Sequence, residues 1–332
     1  MAEPEFVKSL KQPENLDSKA AQYLQLRLQK EIFRARPTVT ANRNSQEYFA
    51  DPIAKTTSYI VQVYSPEPLQ VEAAEHYWFA GDTFFGRYVE KSLLDSKGRH
   101  KLVEDVLRTT GGEKLIVNLE GVVAKECPEN PGLYKLCMKT DVTVQTLKAL
   151  NVTAVNLANN HNRDEGNEAY TEMKRLLTNC GITVLENRSI TDFGRFRLAA
   201  LTDVDNSEKE KYAVLRQHDL VELESCPRDK PIFAFVHWGR EYSGRPGPRE
   251  TALGSALHGS GAELIIGCHS HKSGKLSCQL GSCGIFSLGN FIFDQIGAQV
   301  SGQLLHVMFF PQGTYFLKAV DIENFYNPRG RH

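Results

Sequence analysis

The chain has no long hydrophobic run, no excess of either charge and no paired-cysteine motif, and each absence removes a class of protein. No segment approaches the ~20 apolar residues of a transmembrane helix, and the opening MAEPEFVKSLKQPENLD has no apolar stretch of the secretory-signal type. No membrane segment and a cytoplasmic location are therefore expected. The formal net charge is -1, too little to attract nucleic acid or an anionic membrane at long range, so no nucleic-acid partner is expected. Seven cysteines, at 127, 137, 180, 226, 268, 278 and 283, form an odd set without a CxxC pair. Such a set predicts reduced thiols, not a disulfide framework or a structural zinc site. A G-x-S-x-G elbow, a P-loop and a strand-led G-x-G-x-x-G are all missing, and GDTFFGR is too widely spaced to cradle a nucleotide. There is no internal repeat, low-complexity tract or Gly/Ser linker.

What the chain does contain is a recurrent local pattern, an apolar strand-like run that stops at a residue able to bind a metal or move a proton. HYWFAGDTFFGR stops at Asp82, KLIVNLEG at Asn118 and Glu120, and VTAVNLANNH at Asn160 and His161. PIFAFVHWGREY stops at His237, and AELIIGCHSH at His269 and His271. In open α/β sheets the ligand crevice lies beyond the carboxyl ends of the strands, so five tips scattered in sequence are expected to converge. Residues i and i+2 of an extended strand share a face, which predicts that His269 and His271 project together and that Cys268 turns away from them as a packing residue.

Helix-like segments alternate with these runs. TDVTVQTLKALN spaces Val144, Leu147 and Leu150 for one face, NEAYTEMKRLLTNCG does the same with Met173, Leu176 and Leu177 and ends at Gly181, and RETALGSALHGSGA precedes the H-x-H run. The alternation predicts right-handed βαβ units. After Asn290 the closely spaced QLLHVMFF and TYFLKAVDIE leave little room for helices, which predicts a mixed sheet or two packed sheets. At 332 residues, 41% hydrophobic and 24% charged, the chain can form one large globular domain with an extension. The expected division is an N-terminal extension over 1–70, a main domain over 71–325 and a tail over 326–332. Within the extension, AAQYLQLRLQKEIFRARP reads as an amphipathic helix stopped by Pro37, TANRNSQEYFADP as a polar connection and TTSYIVQVY as a strand.

A dinuclear hydrolytic site needs a carboxylate to bridge two cations, neutral nitrogen and oxygen donors, and open positions for water and substrate. Asp82, Glu120, Asn160, His237, His269 and His271 supply that set. Mixed oxygen and imidazole donors suit Mn²⁺, Zn²⁺ or Fe²⁺, and two such cations ~4 Å apart would acidify a bridging water to hydroxide. His161 follows Asn160, a place for a general acid or an oxyanion donor, with Asp164 near enough in sequence to orient it. Arg87 and Arg240 can grip an anionic group by bidentate contacts. Arg245 and Arg249 extend the basic character of that loop, and Glu241 and Tyr242 serve either the substrate or neighbouring loops. Asn290 and Asp294, in SLGNFIFDQ, are expected as supports.

The ordered set GD-T-FFGR, NLEG, NNH, HWGREY, GCHSH and SLGNFIFD is similar to the CapA-like family of bacterial capsule-synthesis and poly-γ-glutamate-synthesis proteins, over about residues 76 to 296. That family in turn resembles calcineurin-like metallophosphoesterases. The resemblance implies a four-layer α/β/β/α sandwich with a dinuclear centre at the strand ends. It places Glu120, Asn160, His237 and His269 on one cation, Asp82, Glu120 and His271 on the other, and His161 as the catalytic histidine, which Asp164 and Arg87, read from their own positions, are expected to assist. It also implies a hydrolase acting on a phosphate ester or a γ-glutamyl-type amide of a small or polymeric anionic substrate. The other reading is an accessory protein of polymer biosynthesis that binds such a chain without turnover. Two departures from the phosphoesterase pattern, Phe84 in place of the histidine of Asp-x-His and NLEG in place of GDxxD, are shared with the CapA-like branch. The first leaves the His271 side one ligand short. Specificity is expected to lie in loops 121–139 and 240–252.

Overall fold

A computed structural model of the chain describes residues 36–44, 58–65, 75–129, 135–205, 214–279, 282–295, 301–311 and 313–326. The chain divides into two units, Met1–Ala73 and Ala74–His332. In the first, β1 (Arg36–Asn44) pairs antiparallel with β2 (Ser58–Ser65). The strand expected in TTSYIVQVY is present, whereas Thr40–Asn44, expected as a connection, belong to β1. The β-branched Thr38, Val39 and Thr40 favour the extended conformation over a turn. The helix expected before Pro37 lies outside the described residues, apart from its last positions, which begin β1.

The second unit opens with β3 (Glu75–Thr83), followed by α1 (Arg87–Leu94), α2 (Ser96–Thr110) and β4 (Lys114–Leu119). The short β5 (Val122–Ala124) and β6 (Cys137–Lys139) pair with each other, and then come α3 (Thr140–Ala149), β7 (Val152–Asn156), α4 (Gly166–Asn179) and β8 (Thr183–Leu185). Next are β9 (Ser189–Asp192), β10 (Arg197–Thr202), α5 (Val221–Ser225), β11 (Ile232–His237), α6 (Pro248–Gly259) and β12 (Leu264–Cys268). The unit closes with β13 (Leu276–Gln279), β14 (Ser282–Ile285), β15 (Asn290–Ile292), β16 (Ser301–Phe309) and β17 (Tyr315–Glu323). One sheet runs β17-β16-β3-β4-β7-β8, with β15 beside β3, and the other runs β13-β14-β12-β11-β10-β9. The parallel pairs β3–β4, β4–β7, β7–β8, β10–β11 and β11–β12 are linked through helices, as the alternation predicts, whereas the parallel β12 and β14 are joined through β13.

Alternation along the strands sorts side chains into three cores. Tyr77, Phe79 and Ile116 of the first sheet meet Phe233, Phe235, Leu264 and Ile266 of the second, and the layer between is dense in aromatics such as Phe196 and Phe309. The opposite residues, Trp78, Ala80, Leu115 and Val117, pack on α1 to α4 through Val89, Leu102, Leu147 and Met173. Ala234, Val236 and Ile265 pack on α5 and α6 through Leu223 and Leu257. The result is a four-layer α/β/β/α sandwich. On α3 the fully buried face uses Val142, Thr143, Thr146 and Leu147, with Val144 half-buried beside it. Phe84, where the histidine of Asp-x-His is missing, is buried in the helix-side core.

The cysteines depart from the expectation of reduced thiols. Cys127 is bonded to Cys137 and Cys278 to Cys283, while Cys180, Cys226 and Cys268 are free. Spacing in sequence does not reveal these pairs because each is made by tertiary register. Cys278 and Cys283 face each other across the β13–β14 hairpin, and the first pair joins the start of β6 to the end of the β5 segment. Among the described residues no helix is long and apolar enough to cross a membrane.

Candidate metal centre

All six ligand-capable residues lie at or just beyond the carboxyl ends of strands, at one edge of the two sheets. Asp82 is the penultimate residue of β3, Glu120 follows β4, Asn160 follows β7, His237 ends β11, and His269 and His271 follow β12. Two glycines permit the approach. A side chain at Gly267 would collide with the Phe286 carbonyl and with Trp238, and Gly121, at φ 120°, carries the chain past Leu136 directly after Glu120. The H-x-H pair does not arise by strand alternation. β12 stops at Cys268, and His269 and His271 sit at φ 91° and 56°. Arg87 and Tyr242 share this left-handed backbone, so four of the six such non-glycine residues among the described ones come from the site's own motifs. Conformations of this cost persist where surrounding structure enforces them, and they cluster at functional sites.

Glu120, His237 and His269 bring donor atoms within 4.8 Å of one another, as do Asp82, Glu120 and His271. Asn160 Oδ1 lies 2.7 Å from His237 Nε2, which places it with the first group. All of these side chains are buried. Asn118 joins the two groups: its Nδ2 donates to Asp82 Oδ1 at 2.9 Å and faces His237 Nδ1 at 3.3 Å, while its Oδ1 accepts from Asn156 and Asn159. His271 Nδ1 lies 2.8 Å from Asn290 Oδ1 and 3.2 Å from Asp82 Oδ2. Because Asn290 Nδ2 donates to Gln295, its oxygen is the acceptor, and Nε2 of His271 is the nitrogen left to meet a cation.

The residues fit divalent cations. Glu120 Oε2 and both ring nitrogens of His269 are buried without a hydrogen-bond partner, and each such atom costs about 1–3 kcal/mol unless something satisfies it. Electrostatics agrees. Burial, and then the charge of Asp82, pushes the Glu120 carboxyl up to about 7. Burial opposes charge on His271, but the hydrogen bond and charge of Asp82 outweigh it and hold the ring up to about 9. Burial, reinforced by His271, drives His269 down to about 3, and burial likewise holds His237 well below its ordinary value. His237 and His269 are thus held in the neutral form a cation requires, whereas Glu120 and His271 would give up protons to bind one.

His161 stands at the edge of this cluster, its side chain 13% exposed, with Nε2 3.9 Å from Glu120 Oε1 and Nδ1 2.7 Å from Asp164. Asp164 is itself held by the Leu136 N–H at 2.7 Å. Burial works against a charge on this ring, yet Asp164 and Glu120 raise it above the usual histidine value. Around the rim, Arg87 is engaged by Asp294 at 2.7 Å and lies over the Phe84 ring, and Arg249 makes a bidentate pair with Asp203 at 2.6 and 2.7 Å. Tyr242 is 47% exposed, with its N–H on Ser270 O and its ring 6.1 Å from His271. Arg240, Glu241, Arg245 and Arg249 line a groove of about 880 Å³.

Cys268 packs in the inter-sheet core, as expected, and its sulfur also lies 3.3 Å from His237 Nδ1. Asn118 was legible only as a strand-tip residue, and no local pattern marks it as the link between half-sites. Its i, i+2 spacing from Glu120 was the available signal.

The sandwich and the buried donor cluster define a class, an α/β/β/α protein with a candidate two-cation centre at its strand ends. Residues 76–185 and 203–295 match the family of bacterial capsule synthesis protein PGA_cap, and the chain belongs to that family. PGA biosynthesis protein CapA of Bacillus subtilis (strain 168) is 27% identical over 259 residues, covering 71% of this chain and 66% of that protein. Capsule biosynthesis protein CapA of Bacillus anthracis is 29% identical over 245 residues, covering 65% and 59%. The chain thus spans just under two thirds of the length of these relatives. A 5'-nucleotidase precursor from Thermus thermophilus aligns with a TM-score of 0.43 at 14% identity, over 76% of this chain and 54% of that structure.

Proposed function

We propose that this protein is a metal-dependent hydrolase with a dinuclear centre, cleaving a phosphate ester or a γ-glutamyl-type amide with His161 as general acid. The observation that carries the reading is the pair of buried donor groups sharing Glu120, with Glu120 Oε2 and the His269 nitrogens unpartnered. Asp82, Glu120 and His271 would hold one cation, and Glu120, Asn160, His237 and His269 the other. Mn²⁺, Zn²⁺ or Fe²⁺ bound there would supply Lewis acidity and an acidified water. His161 reaches the centre from its more open side, and Asp164 fixes the ring so that Nε2 faces the reacting group. From that position it can protonate a leaving group or donate to a developing oxyanion. Arg87, steadied by Asp294, would meet an anionic group of the substrate, and Arg240, Glu241 and Tyr242 would shape the approach.

A second reading, binding of an anionic polymer without turnover, draws support from the capsule and PGA biosynthesis named for the relatives, although the groove that holds Arg240, Arg245 and Arg249 also holds Asp203, Glu241 and Glu250. In either case the two disulfides favour an oxidising compartment over the cytosol. Metal analysis joined to turnover on phosphomonoesters, phosphodiesters and γ-glutamyl peptides tests the proposal, with Asp82→Asn expected to lower the metal content. A protein that holds no transition metal after Mn²⁺ or Zn²⁺ loading ends the enzyme reading. Bound metal with no turnover on any of these substrates supports the binding role.

A further inference from the structure

We infer that Cys268 is a positioning residue for His237: its sulfur accepts the Nδ1 proton of the ring and thereby leaves Nε2 as the atom presented to the cation. The inference rests on the metal-centre reading above. β11 and β12 run parallel with His237 opposite Cys268, so the two side chains are neighbours across the ladder, and both are fully buried. Sγ lies 3.3 Å from Nδ1, while Nε2 lies 2.7 Å from Asn160 Oδ1 and 3.9 Å from Glu120 Oε1.

A neutral imidazole carries one proton, and the nitrogen that binds a cation must be the other one. Two groups face Nδ1, and they favour opposite answers. Asn118 Nδ2, at 3.3 Å, is fixed as a donor because its amide oxygen accepts from Asn156 and Asn159 while its nitrogen donates to Asp82. Acting alone, Asn118 would select the ring form with its proton on Nε2. That form would donate to Asn160 Oδ1 and could bind no cation there. The sulfur tips the balance. Its S–H can donate to the Val236 carbonyl at 3.5 Å, which would leave a lone pair for Nδ1. Metal-binding histidines ordinarily lean on a carboxylate, a carbonyl or water through the second nitrogen, and here a buried thiol stands in that place. His237 thus has the outer partner that His271 has in Asn290.

Cys268→Val keeps an apolar side chain of similar size and removes the acceptor, and Cys268→Ser restores an acceptor. Zn²⁺ competition titrations on the full chain should show affinity falling about 10- to 100-fold in Cys268→Val and largely recovered in Cys268→Ser. Nitrogen NMR of the Zn²⁺-loaded wild type should assign the His237 proton to Nδ1. The Co²⁺-loaded wild type should lack a thiolate-to-cobalt charge-transfer band. Zn²⁺ bound equally tightly by Cys268→Val and wild type overturns the inference, and so does a proton on Nε2. A charge-transfer band that vanishes in Cys268→Ser also overturns it, since Cys268 would then be a ligand. Should Cys268→Val fail to fold, the wild-type NMR and cobalt spectra decide by themselves. A wild type that binds neither Zn²⁺ nor Mn²⁺ sinks the metal-centre reading and this inference together, whereas a metal-binding wild type indifferent to Cys268→Val sinks the inference alone.

Discussion

Glu120 belongs to both donor groups, and a buried carboxylate in that position is costly to the fold unless positive charge meets it. Glu120→Gln removes the charge and keeps the shape. We expect metal analysis to show both cations lost, while urea unfolding of the metal-free protein shows stability unchanged or raised. His161→Ala should retain its metal and lose turnover by a factor on the order of 10² to 10⁴, the usual worth of a positioned acid; loss of metal in this variant would make His161 a ligand. At this scale Asp82, Asn160 and His237 were legible because each terminates an apolar run. Asn118 was legible as a strand tip and Cys268 as a packing residue, but their partners were not, because these are set by which strand lies alongside, and the residue's own neighbours in sequence carry no trace of that.

At the scale of elements, the segment between β5 and β6 ties chain closure to the dyad. Cys137 is bonded to Cys127, and the preceding residue, Leu136, donates its N–H to the same Asp164 oxygen that holds His161. The double variant Cys127→Ser/Cys137→Ser releases a loop of roughly ten residues, a loss of about 2–3 kcal/mol by chain entropy. Calorimetry should record it. Turnover should fall as well with metal content unchanged, because the slackened Leu136 lets Asp164 and His161 drift. Helices such as α4 were readable from apolar spacing, with Met173 and Leu177 buried as expected. The H-x-H turn was not, since strand alternation and a pair of left-handed residues flanking Ser270 place imidazoles on one side by different routes, and periodicity describes only the first.

For the whole molecule, strand-helix alternation followed by closely spaced strands foretold a mixed sheet or two packed sheets; the structure has two packed sheets, with three separate cores. The disulfides escaped notice because pairing depends on hairpin register, as at Cys278 and Cys283. One acid-sensitive point of the sandwich lies away from the centre. His306 stacks on Trp78 at 4.1 Å and contacts His76 at 2.9 Å; burial, then His76 and Lys318, holds it down to about 4. The unfolded chain takes up this proton near pH ~6.5 and the folded chain resists it, so stability should decline as pH drops from about 6.5 toward 4, with no such contribution above that window. Denaturation midpoints of wild type and His306→Gln across that range should show a shallower slope in the variant.

Between the sheets, Phe79 contacts Phe196, Phe233 and Phe235 edge to face, and Phe79→Ala should cost about 3–5 kcal/mol in chemical denaturation. Its reach goes further than stability. Asp82, Glu120 and Asn160 hang from one sheet, and His237, His269 and His271 from the other, so any cation they share is a clasp across the seam. Slippage of one sheet over the other would pull its two hands apart, and an aromatic of the inter-sheet core thereby becomes a determinant of how tightly the clasp can close.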